Sequence, residues 1–389
     1  MKPIEPIKEH FRQVFGEDPA VISAAPGRVE FIGNHTDYNL GPVLGAAIDR
    51  RIYIAIRRIE ERLFRFASGS HSDFVSLDET GSPVDGRDYW VNYPLGVYNS
   101  LIRRGLSAEG GFEMFVNSDL PTGAGLASSA ALELASGKAF CECYGLEIGL
   151  EDLAVACKEA ETEFVGVPCG ILDQGVSAFG KAGSLVHIDC RDMVFSVIPL
   201  GDEYSIWIFN THKKHALVES LYSERHEECL SAVNGLVESG LEIGCLADVS
   251  MDVLESAKLS LDAKIAKRAE HIVGEINRVE AVRRLLEEGK VEDAGKLLFQ
   301  SHASSENLFE NSIPELDYLV AILRSMPGVL GARLTGGGFG GAVMALTRKD
   351  FTRIYAESVA SAYRGRFGEE PEILECHTAD GACILESVS

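Results

Sequence analysis

The first half of the chain consists of short apolar runs separated by turn residues, a pattern that predicts strands with a few helices between them. The segment Arg51–Arg57 alternates as RIYIAIR, which is the period of a half-buried strand. Further strands are predicted at Val21–Ala24, which Pro26-Gly27 should end, Val29–Gly33, Phe112–Val116, Ser184–Ile188 and Ser205–Phe209. Helices are predicted from Ser128 to Tyr144, capped by Gly145, and over Leu150–Phe164.

Beyond about residue 215 the pattern becomes helical. Long helical patterns occur at Ala216–Val237, Leu261–Glu288 and Pro314–Met326, and a glycine-rich turn follows at Gly336–Gly341. We therefore predict an α+β protein with a β-rich N-terminal half, residues 1–190, and a helix-richer C-terminal half, residues 191–389. A cleft between the two halves is the expected place for a ligand.

Acidic side chains outnumber basic ones across the chain. The 389 residues include 36 Lys and Arg against 59 Asp and Glu, a formal net charge of −23. Non-specific binding to nucleic acid or to an anionic membrane needs a basic field, so we expect neither partner. An anionic substrate would be repelled by the overall charge, and local donors or a metal ion would have to hold it.

The opening MKPIEPIKEHF contains no apolar stretch of the kind found in secretory leaders. The nine cysteines are scattered and form no CxxC pair, which argues against a zinc ribbon or a thioredoxin-type site. We therefore expect reduced structural thiols in a cytoplasmic protein.

The segment Pro121–Glu133 reads PTGAGLASSAALE and combines glycines with a helix start. Glycine allows a close approach by the backbone, and unpaired N–H groups at the start of a helix favour a phosphate. Ser128 and Ser129 stand at that start, where a hydroxyl can cap the helix or reach a metal ion. The segment is therefore a candidate nucleotide loop, with a small-residue loop capped by serines as the alternative.

A carboxylate interrupts the apolar face of the helix that follows. At about 100° per residue, Glu161 projects into a stripe formed by Leu150, Leu153, Cys157, Ala160 and Phe164. A buried carboxylate is costly unless it is paired or binds a metal ion. Glu161 and Ser129 are thus candidate Mg²⁺ ligands, because Mg²⁺ takes few protein oxygens and keeps water and phosphate as its other ligands. An ion pair, or a side chain that reaches solvent from the edge of the stripe, is the alternative.

Three further segments carry candidate chemistry. Asp173 lies in the small-residue turn CGILDQ, where a carboxylate can act as a general base or cap a turn. The segment Pro26–Asn39, PGRVEFIGNHTDYN, offers alternating donors and acceptors that suit a polyhydroxylated ligand, with a polar surface turn as the alternative. The segment Leu334–Gly341, LTGGGFGG, indicates backbone packed against a ligand or another loop.

Together these segments resemble the galactokinase branch of the GHMP small-molecule kinases. The family's three motifs are matched in order by PGRVEFIGNHTDYN, PTGAGLASSAALE and LTGGGFGG, and CGILDQ matches its catalytic-aspartate segment. The resemblance implies a two-lobed fold. Its N-terminal lobe, residues 1–190, would be like ribosomal protein S5 domain 2, and its C-terminal lobe, residues 191–389, would be ferredoxin-like and rich in helices. The active site is then expected in the cleft between the lobes.

The activity implied by the resemblance is ATP-dependent phosphorylation of the anomeric hydroxyl of galactose, with Mg²⁺ as the metal ion. A kinase of the same branch for galacturonate or arabinose, and a non-catalytic sensor of galactose and ATP, are the alternatives. The implied partners are a sugar and ATP, in a monomer or weak dimer.

The resemblance also implies a role for individual residues. Asp173 would be the catalytic carboxylate beside the sugar hydroxyl, and Arg28 would lie against Asp173 and the transferring phosphate. Ser129 and Glu161 would hold Mg²⁺. The sugar-binding residues would be Asn34, His35, Thr36, Asp37, Gly170, Asp173 and Tyr222. The nucleotide-binding residues would be Pro121, Gly123, Ala124, Gly125, Leu126, Ala127, Ser128 and Ser129.

One pair of residues departs from the family's pattern. The family usually has Asn at the position of Glu30 and Glu at the position of Asn34, where the Glu contacts the sugar near carbon 6, so this chain has the two exchanged. Asn34 keeps hydrogen-bonding capacity without the charge, and a sugar with a carboxylate at carbon 6 would then be tolerated. This exchange is why galacturonate and arabinose stand as alternatives.

Overall fold

A computed structural model describes residues 4–69, 71–78, 80–107, 109–121, 125–214 and 218–388 of the chain. Helices and strands are mixed along it, which confirms the predicted α+β class. The helices are α1 (Ile4–Phe15), α2 (Asn92–Arg103), α3 (Ser128–Tyr144), α4 (Leu150–Glu159), α5 (Leu172–Phe179), α6 (Val218–Glu238), α7 (Met251–Ala257), α8 (Ala263–Glu287), α9 (Val291–Ser304), α10 (Pro314–Arg324) and α11 (Arg353–Phe367). The strands are β1 (Val21–Ile32), β2 (Val43–Ile59), β3 (Phe64–Ser68), β4 (His71–Leu77), β5 (Gly111–Ser118), β6 (Ser184–Asp189), β7 (Val194–Pro199), β8 (Tyr204–Lys214), β9 (Val329–Thr335), β10 (Gly340–Arg348), β11 (Glu372–Cys376) and β12 (Cys383–Ser387).

Within the described residues, the first sheet contains eight strands in the order β12-β1-β2-β5-β3-β4, with β6 paired to β2 and β7 paired to β6. Strands β3 and β5 run parallel, and the other neighbours are antiparallel. Helices α3 and α5 pack on β1 and β2, and α2 and α4 pack behind them. This layering places the starts of α3 and α5 beside the middle of β1.

The second sheet has the order β11-β8-β10-β9 and is antiparallel. Helices α10 and α11 cover one face, where Trp207 and Leu323 pack with Tyr363. On the opposite face, Ile208 and Met344 belong to the same hydrophobic cluster as the first sheet. A continuous core therefore joins the two sheets. The strand pattern of Ala332–Leu334 predicts part of β9, whereas β10 and β11 were not predicted. The glycine-rich segment LTGGGFGG joins the end of β9 to the start of β10.

Two strands that follow residue 190 pair in the first sheet. Strand β7 pairs with β6, and β12 pairs with β1, with Val21 opposite Ser387. The chain thus returns to the first sheet after completing the second. A division of the chain at residue 190 therefore does not separate the two sheets.

The sequence pattern predicts that the dipeptide Pro26-Gly27 ends the first strand, but the strand continues through it. Strand β1 runs through it and absorbs it at an irregularity in the pairing with β2, between Pro26 and Arg28. The predicted strand at Arg51–Arg57 is confirmed as part of β2, but it is not half-buried as predicted, because positions 52–56 are all buried. Helix α1 covers the face of the sheet that was expected to meet solvent.

Helix α1 itself was missed. Its Ile7 and Phe11 are fully buried and pack with Tyr53 and Ala55 of β2. The four-residue spacing of these two apolar side chains is the signal that could have found the helix. The other helix predictions agree closely with the structure, and α3 ends as predicted at Gly145, which has a left-handed φ of 70°. Of the predicted helix at Ala216–Val237, residues 216 and 217 lie outside the described residues.

Candidate active site

Arg28 and Asp173 form the central ion pair of the site. Arg28 Nε donates to Asp173 Oδ1 and Arg28 Nη2 donates to Asp173 Oδ2, both at 2.7 Å. Arg28 lies on β1 and Asp173 in the first turn of α5, so the packing of α5 on β1 brings the two together. Arg28 Nη1 also donates to the Gly125 carbonyl at 2.7 Å. One guanidinium group therefore joins the acid to the predicted nucleotide loop.

The predicted nucleotide loop lies directly against β1. The backbone N–H of Arg28 donates to the Leu126 carbonyl at 3.0 Å. A Cβ on Gly27 would lie 2.7 Å from that carbonyl oxygen, so only glycine permits this approach. Helix α3 begins at Ser128 as predicted, but the capping position is Ala127, which has a left-handed φ of 54° and no side-chain cap. The alternative of a serine-capped helix is therefore wrong.

The other predicted nucleotide residues differ in exposure. The exposed or partly exposed ones are Pro121, Gly125, Ser128 and Ser129, and the buried ones are Leu126 and Ala127. Gly123 and Ala124 lie outside the described residues. The serine hydroxyls at the start of α3 are thus on the accessible side of the loop.

Glu161 reaches the site from the end of α4. The helix continues beyond Glu159 as a π-helix over Ala160–Val165, and Glu161 is buried, with 5% of its surface exposed. Its carboxylate interacts with the Ser129 side chain and accepts a hydrogen bond of 2.6 Å from Gln174 Nε2. Burial and then the nearby Asp173 charge raise the pKa of Glu161. Such a carboxylate gains from a nearby cation.

A second buried acid, Glu133, was missed. Gln174 Nε2 donates to Glu133 Oε2 at 2.9 Å as well as to Glu161, and Glu133 is fully buried. Burial and then the Glu161 charge raise the pKa of Glu133 well above its ordinary value. Glu133 stands among the Ala and Leu residues of α3, which is the same signal that pointed to Glu161. Gln174 links both acids to Asp173, its neighbour in the chain.

A cavity of about 210 Å³ opens beside the ion pair. Its wall contains the predicted residues Arg28, Asn34, His35, Asp37, Glu161, Gly170, Asp173 and Tyr222. The other residues on its wall are Glu30, Gly33, Val167, Pro168, Cys169, Leu172, Gly336 and Gly337. The polar loop that follows β1 (Gly33–Asn39), the CGILDQ turn and the glycine-rich turn therefore converge on one cavity.

Two residues of the polar loop use their side chains to hold the loop itself. Thr36 is fully buried, and its hydroxyl is 2.8 Å from both the Gly33 and the Pro42 carbonyl oxygens; it does not reach the described cavity wall. His35 Nε2 donates to the Gly337 carbonyl at 3.0 Å, and His35 Nδ1 accepts from the Tyr38 hydroxyl at 2.8 Å. Burial lowers the pKa of His35 to about 3, so the imidazole is neutral near pH 7.

Asp37 and Gly170 are a matched pair on the cavity wall. A Cβ on Gly170 would lie 1.6 Å from Asp37 Oδ2, so glycine leaves the space that the carboxylate occupies. Burial raises the pKa of Asp37 to about 6. Tyr222 packs on the same wall against His35, with ring centroids 4.9 Å apart. The carboxylate of Asp37 therefore changes its charge near pH 6.

The exchanged residues Glu30 and Asn34 contact each other. Asn34 Nδ2 donates to Glu30 Oε1 at 3.1 Å and to the Gly336 carbonyl at 2.8 Å, and Asn34 Oδ1 accepts from Asn311 Nδ2 at 2.8 Å. Arg333 Nη2 lies 2.9 Å from Glu30 Oε1. The cavity wall thus keeps one carboxylate and one amide, with their positions in the chain reversed.

Glu275 of α8, which was not predicted, holds the polar loop from behind. Its Oε1 accepts the backbone N–H groups of Gly33 and Asn34 at 3.2 and 3.3 Å and the Ser301 hydroxyl at 2.5 Å. Its Oε2 accepts from Arg278 Nε at 2.7 Å. Burial alone would raise the pKa of Glu275, but the neighbouring guanidinium groups outweigh it and lower the pKa to about 2. No local pattern marks this residue, because its distant partners come from the loop after β1 and from α9.

Known proteins are similar to this chain over nearly its whole length. The family model of the galactokinase galactose-binding signature matches residues 9–58. The chain is 38% identical over 377 residues to the galactokinase of Roseiflexus sp. (strain RS-1), covering 96% of this chain and 95% of the relative. The chain belongs to the galactokinase family. Models of the GHMP kinase N-terminal and C-terminal domains match residues 92–181 and 282–366.

Other relatives agree with this assignment. The galactokinase of Ligilactobacillus salivarius (strain UCC118) is 36% identical over 386 residues, covering 97% of this chain and 99% of the relative. The crystal structure of Lactococcus lactis galactokinase complexed with galactose has 32% identity and a TM-score of 0.92, covering 98% of this chain and 99% of that one. The mevalonate kinase of Methanococcus jannaschii shares the fold, with 19% identity, a TM-score of 0.62 and coverage of 93% and 99%.

Membership of the galactokinase family makes the protein a kinase-type phosphotransferase that acts on a hydroxyl acceptor, and it confirms the two-lobed GHMP kinase fold. Among the helices of the described residues, none has the length and apolar character needed to cross a bilayer.

Proposed function

We propose that this galactokinase-family protein transfers the γ-phosphoryl group of ATP to the anomeric hydroxyl of galactose. The observation that carries the proposal is the Arg28–Asp173 ion pair, which lines the cavity and contacts the nucleotide loop at the same time. The relatives named galactokinase match nearly the whole chain, and the similar solved structure from Lactococcus lactis is a complex with galactose.

Asp173 and Arg28 are the proposed catalytic residues. The Asp173 side chain is 25% exposed, so it can meet a sugar hydroxyl while paired with Arg28. The hydroxyl oxygen forms a bond to the γ-phosphorus as the bond to the β-phosphate oxygen breaks; the proton moves toward Asp173 and ADP leaves. Arg28 balances the charge of the carboxylate and of the transferring group. Positioning and charge neutralisation are the main requirements of phosphoryl transfer.

The proposed nucleotide site is the loop Pro121–Ser129, including Gly123, Ala124, Gly125, Leu126, Ala127 and Ser128. The backbone N–H groups at the start of α3 favour phosphate oxygens, and the loop carries the Gly125 carbonyl that Arg28 contacts. This contact supports a nucleotide site on the same side of β1 as Asp173.

The donor set beside the nucleotide loop fits Mg²⁺, because Glu161, a buried carboxylate on the cavity wall, interacts with the hydroxyl side chain of Ser129. We propose that these two residues would hold the ion. When bound, Mg²⁺ would neutralise charge on the nucleotide phosphates. Gln174 fixes the orientation of the Glu161 carboxylate from the other side.

The proposed sugar site is the cavity itself, with Asp37, Gly170, Tyr222 and Asp173 on its wall. Asn34 and His35 also line it, and Thr36 holds the loop behind them. The wall is rich in carboxylates, which accept hydrogen bonds from sugar hydroxyls.

Galacturonate is disfavoured as the substrate by the same carboxylates. The replacement of Glu by Asn at position 34 does not remove the negative charge, because Glu30 supplies a carboxylate in contact with Asn34. A sugar carboxylate would therefore meet Glu30 and Asp37 inside a small cavity. The relatives at 36–38% identity are named galactokinase, so neither arabinose nor a non-catalytic sensor is favoured.

We also propose a cytoplasmic protein that is a monomer or weak dimer. The nine cysteines are unpaired thiols, which supports a reducing compartment.

The test is a coupled assay of ADP release with galactose, galacturonate, arabinose, glucose and N-acetylgalactosamine. We expect galactose to give the highest kcat/KM and phosphorus NMR to show the phosphate on carbon 1. ADP release that is independent of every sugar would disprove the proposal, and a preference for galacturonate would disprove the choice of sugar. The Asp173→Asn variant is the control for background hydrolysis.

A further inference from the structure

Glu30 is a buried acid on the cavity wall that the proposed reaction does not yet use. It lies on β1, and 4% of its surface is exposed. Arg333, which is fully buried, has its Nη2 atom 2.9 Å from Glu30 Oε1, and Asn34 Nδ2 donates to the same oxygen at 3.1 Å. Among the described residues, these side-chain contacts all reach Oε1. Glu30 Oε2 therefore keeps its capacity to accept a hydrogen bond.

Asn34, in contrast, has its hydrogen-bonding capacity in use. Its Nδ2 atom donates to Glu30 and to the Gly336 carbonyl. Its Oδ1 atom accepts from Asn311 Nδ2 at 2.8 Å and from Ser305 Oγ at 3.4 Å. An amide side chain has two N–H donors and one carbonyl oxygen with two lone pairs. A sugar hydroxyl could bind Asn34 only by displacing one of these internal partners.

We propose that Glu30 accepts a hydrogen bond from a galactose hydroxyl and determines sugar specificity, and that Asn34 is a positioning residue behind it. This inference rests on the proposed function. An ionised acceptor forms a stronger hydrogen bond than a neutral one, and it rejects a sugar that lacks the matching hydroxyl. The ion pair with Arg333 holds the carboxylate in one orientation, so little ordering is needed when the sugar binds.

A network behind the cavity holds this carboxylate in place. Arg333 Nε donates to Ser301 Oγ at 3.0 Å, and Ser301 in turn donates to Glu275, which holds the backbone of the polar loop. Burial raises the pKa of Glu30 above its ordinary value, and the guanidinium groups of Arg333 and Arg28 offset only part of this rise. The acid that faces the sugar and the loop that carries Asn34 are thus supported by one set of buried contacts.

The test compares galactose with its 2-, 3-, 4- and 6-deoxy derivatives in the Glu30→Gln variant and in the unchanged protein. The dissociation constant of each sugar is measured by calorimetry without nucleotide. We expect Glu30→Gln to weaken galactose binding by about 10- to 100-fold. For one deoxy sugar the ratio between the two proteins should fall below about 3-fold, because the hydroxyl that met Glu30 is already absent.

Asn34→Ala is the matched control. A positioning residue should weaken all five sugars by a similar factor, whereas a direct sugar contact would lose its effect for one deoxy sugar. If Asn34→Ala shows that loss and Glu30→Gln does not, the two roles are reversed and the inference is wrong.

A double exchange controls for misfolding of the Glu30→Gln variant, in which Arg333 loses its charged partner. The combined variant Glu30→Asn with Asn34→Glu keeps one carboxylate and one amide in contact, so we expect it to bind galactose within about 10-fold of the unchanged protein. The single Asn34→Glu variant puts two carboxylates together and should lose binding by more than the double exchange. If Glu30→Gln weakens the binding of every sugar by the same factor while the unchanged protein binds galactose, the inference is wrong and the proposed function stands. Failure of the unchanged protein to bind galactose overturns the proposed function as well.

Discussion

The guanidinium group of Arg28 donates to both carboxylate oxygens of Asp173 at 2.7 Å, although the two residues are 145 positions apart in the chain. The third nitrogen of the same group donates to the Gly125 carbonyl. One buried cation thus joins β1, the start of α5 and the nucleotide loop. Because Arg28 contacts both oxygens of Asp173 and is itself held by the Gly125 carbonyl, the acid is oriented toward the cavity before any substrate binds.

Replacing Asp173 by Asn tests the role of this acid. We expect kcat to fall by about 10²- to 10⁴-fold, because Asn cannot take a proton, while the dissociation constant of an ATP analogue changes little. The matched control is Asp248→Asn, which breaks an ion pair of 2.6 Å with Arg191 at the surface and should leave kcat unchanged. Near-normal turnover in Asp173→Asn would contradict the assigned role.

Replacing Glu161 by Gln tests the Mg²⁺ site. The Mg²⁺ concentration for half-maximal activity should rise by roughly 10-fold or more, because the variant loses the charge that attracts the ion. Binding of Mn²⁺ without nucleotide, followed by electron paramagnetic resonance, gives a second readout. The control is Glu159→Gln, two positions earlier, whose carboxylate pairs with Arg104 at 2.7 Å. Equal metal dependence in the two variants would remove Glu161 from the site.

The pH profile of kcat/KM for galactose tests Asp37. Burial raises the pKa of this acid to about 6, so its charged form is lost as the pH falls through 6. If the carboxylate accepts hydrogen bonds from the sugar, kcat/KM should decline below about pH 6. In Asp37→Asn the overall kcat/KM should be lower and this decline should be absent. A decline of the same midpoint in the variant would assign the ionisation to another group.

Replacing Glu275 by Gln tests the support of the polar loop. We expect the free energy of unfolding to fall by about 3–5 kcal/mol, because half-buried Arg278 loses its charged partner and buried Arg333 loses a nearby negative charge. The galactose KM should rise roughly 10-fold because the loop backbone shifts. The pKa of Glu275 is lowered from 4.5 to about 2, so its stabilising effect is present above pH 4.5 and is lost as the pH falls toward 2. Thermal unfolding should therefore show a difference in Tm that narrows over this range. A pH-independent difference would exclude the charge as its cause.

Replacing Gly170 by Ala tests the packing of Asp37. The new Cβ would lie 1.6 Å from Asp37 Oδ2, so the carboxylate must move and the galactose KM should rise by roughly 10-fold or more. The binding of an ATP analogue should change little. Gly365→Ala is the control, because a Cβ at that position in α11 meets no atom within 4 Å. A normal KM in Gly170→Ala would show that Asp37 is not needed in its present position.

Local patterns were sufficient where a single element carries the signal. The spacing of apolar residues, with Gly145 as a stop, predicted α3, and the position of Glu161 on an apolar stripe predicted a buried carboxylate. The same argument applied to Glu133 would have found the second acid. These predictions succeed because helix periodicity and the cost of burying charge act within one element.

Contacts between distant segments could not be predicted in this way. The partners of Glu275 come from the loop after β1, from α8 and from α9, and no short segment contains them all. The effect of exchanging Glu30 and Asn34 also depends on how close the two side chains are. In the sequence, Asn at position 34 looks like a lost charge, but in the structure Asn34 contacts the Glu30 carboxylate.

By itself, the amino-acid sequence determined the α+β class, the start of α3, the motifs of the galactokinase family and Glu161 as an acid in apolar surroundings. The tertiary structure decided which of those groups share one cavity, how α1 covers the first sheet and β12 extends it, and which side chain of the Glu30–Asn34 pair keeps an acceptor atom without a partner among the described residues. The physical reason is that periodicity and burial cost are local properties, whereas hydrogen bonds and ion pairs between segments depend on how the sheets and helices pack.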